Sequence, residues 1–134
     1  MPALKTYIVE DSPVIRESLI ATLEELVPVK VVGTAEDEAS AVAWLMRAGN
    51  QADLVIIDIF LKSGSGMGVL RTTQLMHNKR KVVVLSNYAT LDVRRKCLEL
   101  GADRVFDKSN EIDALIAYCL ALANGEITSA APLS

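Results

Sequence analysis

The stretch Ala52-Asp-Leu-Val-Ile-Ile-Asp-Ile-Phe60 decides the fold. Leu54, Val55, Ile56 and Ile57 run unbroken into the carboxylate of Asp58. A short continuous apolar run rich in β-branched residues suits a strand buried on both faces, as in a parallel sheet. A carboxylate buried unpaired in such a sheet is strongly unfavourable, so Asp58 is expected at the strand's carboxyl end. In open α/β sheets that edge is where ligands bind. Gly64-Ser-Gly-Met-Gly68 follows and reads as a flexible loop that can bend close to a site. It lacks the glycine spacing of a dinucleotide fingerprint and the Lys-Ser/Thr of a phosphate-binding P-loop.

The same grammar extends in both directions. Lys5–Val9 is a β-rich run that ends in Glu10 and Asp11, and Ser12-Pro13 then signals a helix start, with proline at the first helical position. Ile15, Leu19, Leu23 and Leu26 recur at helical spacing until Pro28. Val29–Val32 is a second strand, and Asp37 or Glu38 opens a second helix striped by Val42, Leu45 and Met46 and ending at Gly49-Asn50. After the Asp58 strand, a third helix is predicted from about Met67 to Met76, with Val69, Leu70 and Leu75 apolar. Lys81–Leu85 is a fourth strand running into Ser86-Asn87. Val93, Cys97 and Leu100 mark a fourth helix stopped by Gly101. Asp103–Asp107 is a fifth strand ending at Lys108. Ser109 or Asn110 is expected to cap a last helix bearing Ile112, Leu115, Ile116, Cys119 and Leu120.

Strict alternation of five strands and five helices predicts right-handed βαβ units and an α/β fold. The expected architecture is a five-stranded parallel sheet in the flavodoxin-like order 2-1-3-4-5, with helices on both faces in three layers. The 134 residues suffice for one domain, expected over 1–123, with 124–134 a loose tail or the start of a linker. The chain is 51% hydrophobic but only 4% aromatic, so the core must be aliphatic. No apolar run is long enough for a membrane span and the first residues lack a signal-peptide pattern, so a cytoplasmic location is expected. A net charge of −3 gives no general pull toward nucleic acid, and no contact with nucleic acid or membrane is expected from this chain. Cys97 and Cys119 fall on apolar helix stripes and read as buried thiols.

Under that strand order the ends of strands 1, 3, 4 and 5 share one crevice. It gathers Glu10, Asp11, Asp58, Ser86, Asn87 and Lys108 from far apart in the chain. Two carboxylates about 4 Å apart repel by roughly 4 kcal/mol at an effective dielectric of 20, so the cluster needs a counter-charge. Hard oxygen ligands suit Mg²⁺, and Lys108 is a second cation able to meet a phosphoryl oxygen. An aspartate is a competent phosphoryl acceptor, and in-line transfer needs its equatorial oxygens stabilised more than it needs an acid or base. Mg²⁺, Lys108, and the Ser86 hydroxyl with nearby backbone N–H groups would serve one oxygen each.

Glu10-Asp11, Asp58, Ser86 and Lys108, in that order at successive strand ends, resemble a response-regulator receiver domain over roughly residues 4 to 123. The resemblance implies that Asp58 accepts a phosphoryl group from a phosphohistidine on a sensor histidine kinase or a histidine phosphotransfer protein. It implies Mg²⁺ held by Asp11, Asp58 and the backbone carbonyl of Phe60, with Glu10 partly through water. It also implies a switch around Ser86 and Asn87 that moves the surface of helix 4 and strand 5 for partner or homodimer contacts. Such a domain is not an enzyme beyond its own phosphorylation and dephosphorylation. The sequence departs from the pattern at four places. Val105 stands where many receivers have Tyr or Phe, so the usual aromatic swing is not expected, and Phe106 should point to the opposite face. Ser109 replaces a proline often preceded by a cis bond, so a trans bond is expected. Lys62 replaces a frequent proline, and Asn87 a small residue.

Val14 and Ser18 are candidates for the docking face, while Ile15 is expected in the core. Arg94-Arg-Lys96 reads as a solvated helix face, His77 as a cation suited to a helix end, and Trp44 receives no role. Two rival functions stand beside the receiver. A haloacid-dehalogenase-like phosphatase would need a second acid where Phe60 stands. A phosphorylation-independent scaffold would not need the complete acidic, hydroxyl and lysine set.

Overall fold

The computed structural model describes residues 3–76, 80–87 and 89–126. His77 and the last eight residues of the tail lie outside the described residues. The strands are β1 (Leu4–Val9), β2 (Val29–Ala35), β3 (Leu54–Ile57), β4 (Lys81–Ser86) and β5 (Arg104–Asp107). The helices are α1 (Pro13–Leu26), α2 (Glu38–Met46), α3 (Gly66–Leu75), α4 (Leu91–Glu99) and α5 (Ile112–Ala123). Every adjacent pair of strands is parallel, and the sheet order is β2-β1-β3-β4-β5, as alternation predicted.

Residue alternation along each strand divides the core in two. Tyr7, Val9, Val55, Ile57, Val82, Val84 and Val105 face α2, α3 and α4, packing on Ala41, Leu45, Val69, Leu70 and Cys97. Ile8, Leu54, Ile56, Val83, Leu85 and Phe106 face α1 and α5, packing on Leu19, Leu23, Leu115, Tyr118 and Cys119. Val105 and Phe106 thus lie on opposite faces, and both cysteines are buried. Register sets the strand ends level: Val9 pairs with Ile57, Ile57 with Val84, and Ser86 with Asp107. The next residues of β1 and β3, Glu10 and Asp58, therefore emerge side by side.

Several helix details differ from the periodicity reading. Ile15 and Leu26 are 38% and 51% exposed, because α1 docks through Leu19 and Leu23 and the chain turns Val27 inward instead. In α2 the buried pair is Ala41 and Leu45, while Met46 is 67% exposed and the helix stops there, short of Gly49. In α3 Thr73 takes the inward place expected for Leu75, its hydroxyl satisfied by the Leu70 carbonyl at 2.7 Å. The last helix is not capped by Ser109 or Asn110. Ser109 instead donates its backbone N–H (2.8 Å) and its hydroxyl to Asp107, and Glu111 occupies the cap position. No peptide bond among the described residues is cis, so Lys108–Ser109 is trans as expected. Trp44, half-buried, stacks on Tyr7 with ring centroids 3.9 Å apart, which gives it a packing role the sequence did not disclose.

Candidate functional site at the carboxyl edge of the sheet

Glu10 is only 2% exposed directly after β1, where its backbone N–H extends the ladder to the Ala35 carbonyl at 2.9 Å. The Ser12 N–H donates to one carboxylate oxygen at 3.1 Å, a tie favoured by the start of α1. The Lys108 ammonium donates to the other at 2.5 Å and to Asp58 Oδ2 at 3.0 Å. Asp58 is 6% exposed, and its Oδ1 accepts the Phe60 N–H at 3.2 Å. Asp11 completes the group, its Oδ2 accepting the Lys62 N–H from the β3–α3 loop at 2.8 Å. Carboxylate oxygens of Glu10, Asp11 and Asp58 lie within 4.8 Å of one another.

Three carboxylates face a single ammonium in this pocket. Burial pushes the Glu10 carboxyl upward, against the pull of its Lys108 bond. Burial also works to lower the Lys108 ammonium, but its bonds to Glu10 and Asp58 outweigh it and hold the group raised. Lys108 therefore stays charged, and the cluster keeps a surplus of negative oxygen. That donor set fits Mg²⁺, which prefers hard oxygens and few protein ligands.

The other expected site residues fall around this centre. The Ser86 side chain is fully buried, and its carbonyl accepts the Lys108 N–H at 2.9 Å, fixing β4 to the loop that carries the lysine. Asn87 is exposed at the head of the β4–α4 connection, and Phe60, two residues after Asp58, is 51% exposed. Val14 (77% exposed) and Ser18 line a groove of about 360 Å³ between α1 and α5. Ile15, Leu85, Asn87 and Lys108 also line it, which brings the groove to the edge of the acidic cluster.

Two features escaped sequence reasoning. Arg94 is not a solvated bystander: its guanidinium donates to the Ala89 carbonyl (2.8 Å), the Val105 carbonyl (3.1 Å) and the Glu111 carboxylate (2.6 Å). Glu111 in turn accepts the Asp107 N–H at 2.8 Å. The acid seventeen residues away carried no helical-spacing signal that would pair it with Arg94. The glycine-rich segment is also not a plain flexible loop. Gly66 and Gly68 belong to the first turn of α3, capped by Ser65, and only Gly64 has positive φ (78°) in this segment. A Cβ at Gly66 would land on the Asp58 carbonyl oxygen, so the helix can start this close to the phosphoacceptor candidate only with glycine.

A doubly wound parallel sheet with an acidic cluster and a lysine at its switch-point edge belongs to the class of open α/β domains that bind ligands at the carboxyl ends of their strands. Comparison with known proteins agrees: the response regulator receiver domain family matches residues 6–119. The chain belongs to that family. It is 29% identical over 107 residues to the transcriptional regulatory protein CitB of Klebsiella pneumoniae, covering 80% of this chain and 44% of that protein. It thus spans less than half the length of that relative. The signal receiver domain of the putative response regulator NarL from Mycobacterium tuberculosis superposes with a TM-score of 0.80 at 22% identity, over 93% of this chain and 99% of that one. A response regulator protein from Burkholderia pseudomallei, solved with a phosphorylated aspartic acid and a calcium ion, superposes with a TM-score of 0.76 at 19% identity, over 92% and 69%. Among the described residues no helix is long and apolar enough to cross a membrane.

Proposed function

We propose that this chain is a phosphorelay receiver whose state is set at Asp58, with a sensor histidine kinase or histidine phosphotransfer protein as donor. The observation that carries the reading is the Lys108 ammonium bridging Glu10 and Asp58 beside the carboxylate of Asp11. An Asp58 oxygen forms the new bond to phosphorus as the P–N bond to the donor imidazole breaks, and that electron pair returns to the imidazole nitrogen. Glu10, Asp11, Asp58 and the Phe60 carbonyl would hold Mg²⁺, which when bound neutralises charge on the phosphoryl oxygens. Lys108 shifts part of its bonding from Asp58 to a phosphoryl oxygen as charge builds there. The phosphorylated aspartate and bound calcium of the Burkholderia protein are consistent with this use of the same fold.

The Ser86 side chain is fully buried at the end of β4, and engagement of its hydroxyl by a phosphoryl oxygen would move the β4–α4 loop. That movement is the switch we infer. It biases loop 86–92 and α4 between two arrangements, with Arg94 carrying the change to β5 and Glu111. Leu91 (79% exposed) and Leu98 (52%) on α4 offer apolar contacts for a partner or a second copy of the chain. The groove lined by Val14 and Ser18 beside Lys108 suits the phosphodonor helix, because it leads directly to the acidic cluster. Val105 in place of an aromatic is what favours a second reading, a phosphorylation-independent scaffold.

Intact mass after acetyl phosphate separates the two. One added phosphoryl group that requires both Mg²⁺ and Asp58 is expected, and Asp58→Asn abolishes it. No added mass and no beryllofluoride binding in folded, Mg²⁺-loaded protein would leave the scaffold.

A further inference from the structure

The glycines of the β3–α3 segment are moulded around two different groups. Gly66 makes room for the Asp58 backbone, but Gly64 and Gly68 make room for Glu38, the first residue of α2. A Cβ on Gly64 would sit 2.5 Å from the Glu38 Cβ, and one on Gly68 would overlap its carboxylate. Glu38 uses the space. Its Oε1 accepts the N–H of Ser65, the N-cap of α3, at 2.9 Å, and its own N–H donates to the Ser63 carbonyl at 3.3 Å. Two ties thus run from the start of α2 to the loop between β3 and α3.

The same loop is held from the inside by the carboxylates of the site. Asp11 accepts from Lys62, and Asp58 accepts from Phe60. On the proposed reading those carboxylates turn to a metal ion and a phosphoryl group, and their grip on the loop is then shared or lost. Glu38 lies outside the cluster, so neither of its ties uses a carboxylate that would bind the ion or the phosphoryl group. We propose that Glu38 is a positioning residue for the metal and phosphoryl site. It keeps the loop that presents the Phe60 carbonyl ordered before the ion arrives. The inference rests on the receiver reading and deepens it.

The test is Mg²⁺ affinity by titration calorimetry on the whole chain, with thermal melts to confirm folding. Hydrogen exchange of loop amides 59–65 is followed in Mg²⁺-free protein. Losing a preorganising tie is expected to weaken Mg²⁺ binding by about three- to tenfold in Glu38→Ala and to speed exchange in the loop. Glu38→Gln still offers an oxygen to the Ser65 N–H, so it should stay within about twofold of wild type if the hydrogen bond, and not the charge, is what matters. Gly68→Ala should weaken binding when Glu38 is present and add nothing in the Glu38→Ala background, where the space it needs is empty. The inference is overturned if folded Glu38→Ala binds Mg²⁺ as wild type does and only its melting temperature falls. It is equally overturned if Glu38→Gln is as weak as Glu38→Ala. If wild type takes up neither Mg²⁺ nor beryllofluoride, the receiver reading itself falls and the inference with it.

Discussion

Replacing Lys108 by methionine keeps much of the side chain's apolar stem and removes the only ammonium bonded to Glu10 and Asp58 among the described residues. Those carboxylates are 2% and 6% exposed, with oxygens within 4.8 Å. At an effective dielectric of 20, that separation corresponds to a repulsion of about 3.5 kcal/mol. The protein can escape by protonating one carboxyl. That escape costs about 1.4 kcal/mol less for each pH unit toward acid, and it costs least at Glu10, whose carboxyl burial already pushes upward. The cheaper route wins at each pH. Lys108→Met should therefore lose about 3 kcal/mol near neutral pH and roughly half as much near pH 5.5, within the range for breaking a buried pair. The sign follows from linkage. In the variant a carboxyl has a raised folded-state pKa, so its contribution is fully present below the unfolded value and fades as pH rises through the folded one. Urea unfolding at the two pH values measures this directly. Added Mg²⁺ should recover more stability in the variant than in wild type, because the ammonium no longer competes for the same oxygens. An equal loss at both pH values, with no extra gain from Mg²⁺, would show that Lys108 contributes packing and not charge.

Two further outcomes follow from the geometry. Gly66→Ala should destabilise by about 1–2 kcal/mol in urea unfolding, because overpacking against the Asp58 carbonyl outweighs alanine's helix preference. A stabilised variant would sink that reading. The Arg94 guanidinium, with the Asp107 N–H, holds the Glu111 carboxyl below its ordinary value of 4.5. The stability it contributes is present above that value and lost as pH falls through the lower folded one. The melting-temperature gap between wild type and Glu111→Gln should thus be full at neutral pH and close in acid. A gap that persists there means the ion pair is not its source.

Most of the fold was legible because its signals are local. Four apolar residues before Asp58, the Ser12-Pro13 start of α1 and the Gly101 stop after α4 each act within a few residues. The convergence of Glu10, Asp11, Asp58 and Lys108 was legible because parallel topology fixes which strand ends are neighbours. What failed was part of the inner face of α1, α2 and α3, while the stripes read for α4 and α5 do pack on the core. Periodicity shows a stripe but not the rotation at which the helix settles, so Ile15, Met46 and Leu75 turn outward while Val27, Ala41 and Thr73 turn in. Side-chain ties between elements were also invisible. Glu38 to Ser65 and Arg94 to Glu111 join residues whose separations match no helix or strand period. The glycines at 64 and 68 were the one printed trace of the first tie, and without coordinates they spell only flexibility.

Val105 and Arg94 are best understood together. Val105 is buried on β5, and a surface groove of about 350 Å³ runs along α4 and β5, lined by Arg94, Leu98, Val105 and Glu111 among others. Where an aromatic ring would couple the β4–α4 loop to β5 by filling space, Arg94 couples them by hydrogen bonds to Ala89 and Val105 and an ion pair to Glu111. A guanidinium fork bonded to three acceptors is satisfied in few geometries. On the proposed reading, movement of the Ser86 loop displaces the Ala89 carbonyl and strains the whole fork at once. The fork then either holds or releases Glu111 and with it the start of α5. The substitution that removed the familiar moving part is therefore compatible with a sharp switch, provided Arg94 is the residue that moves.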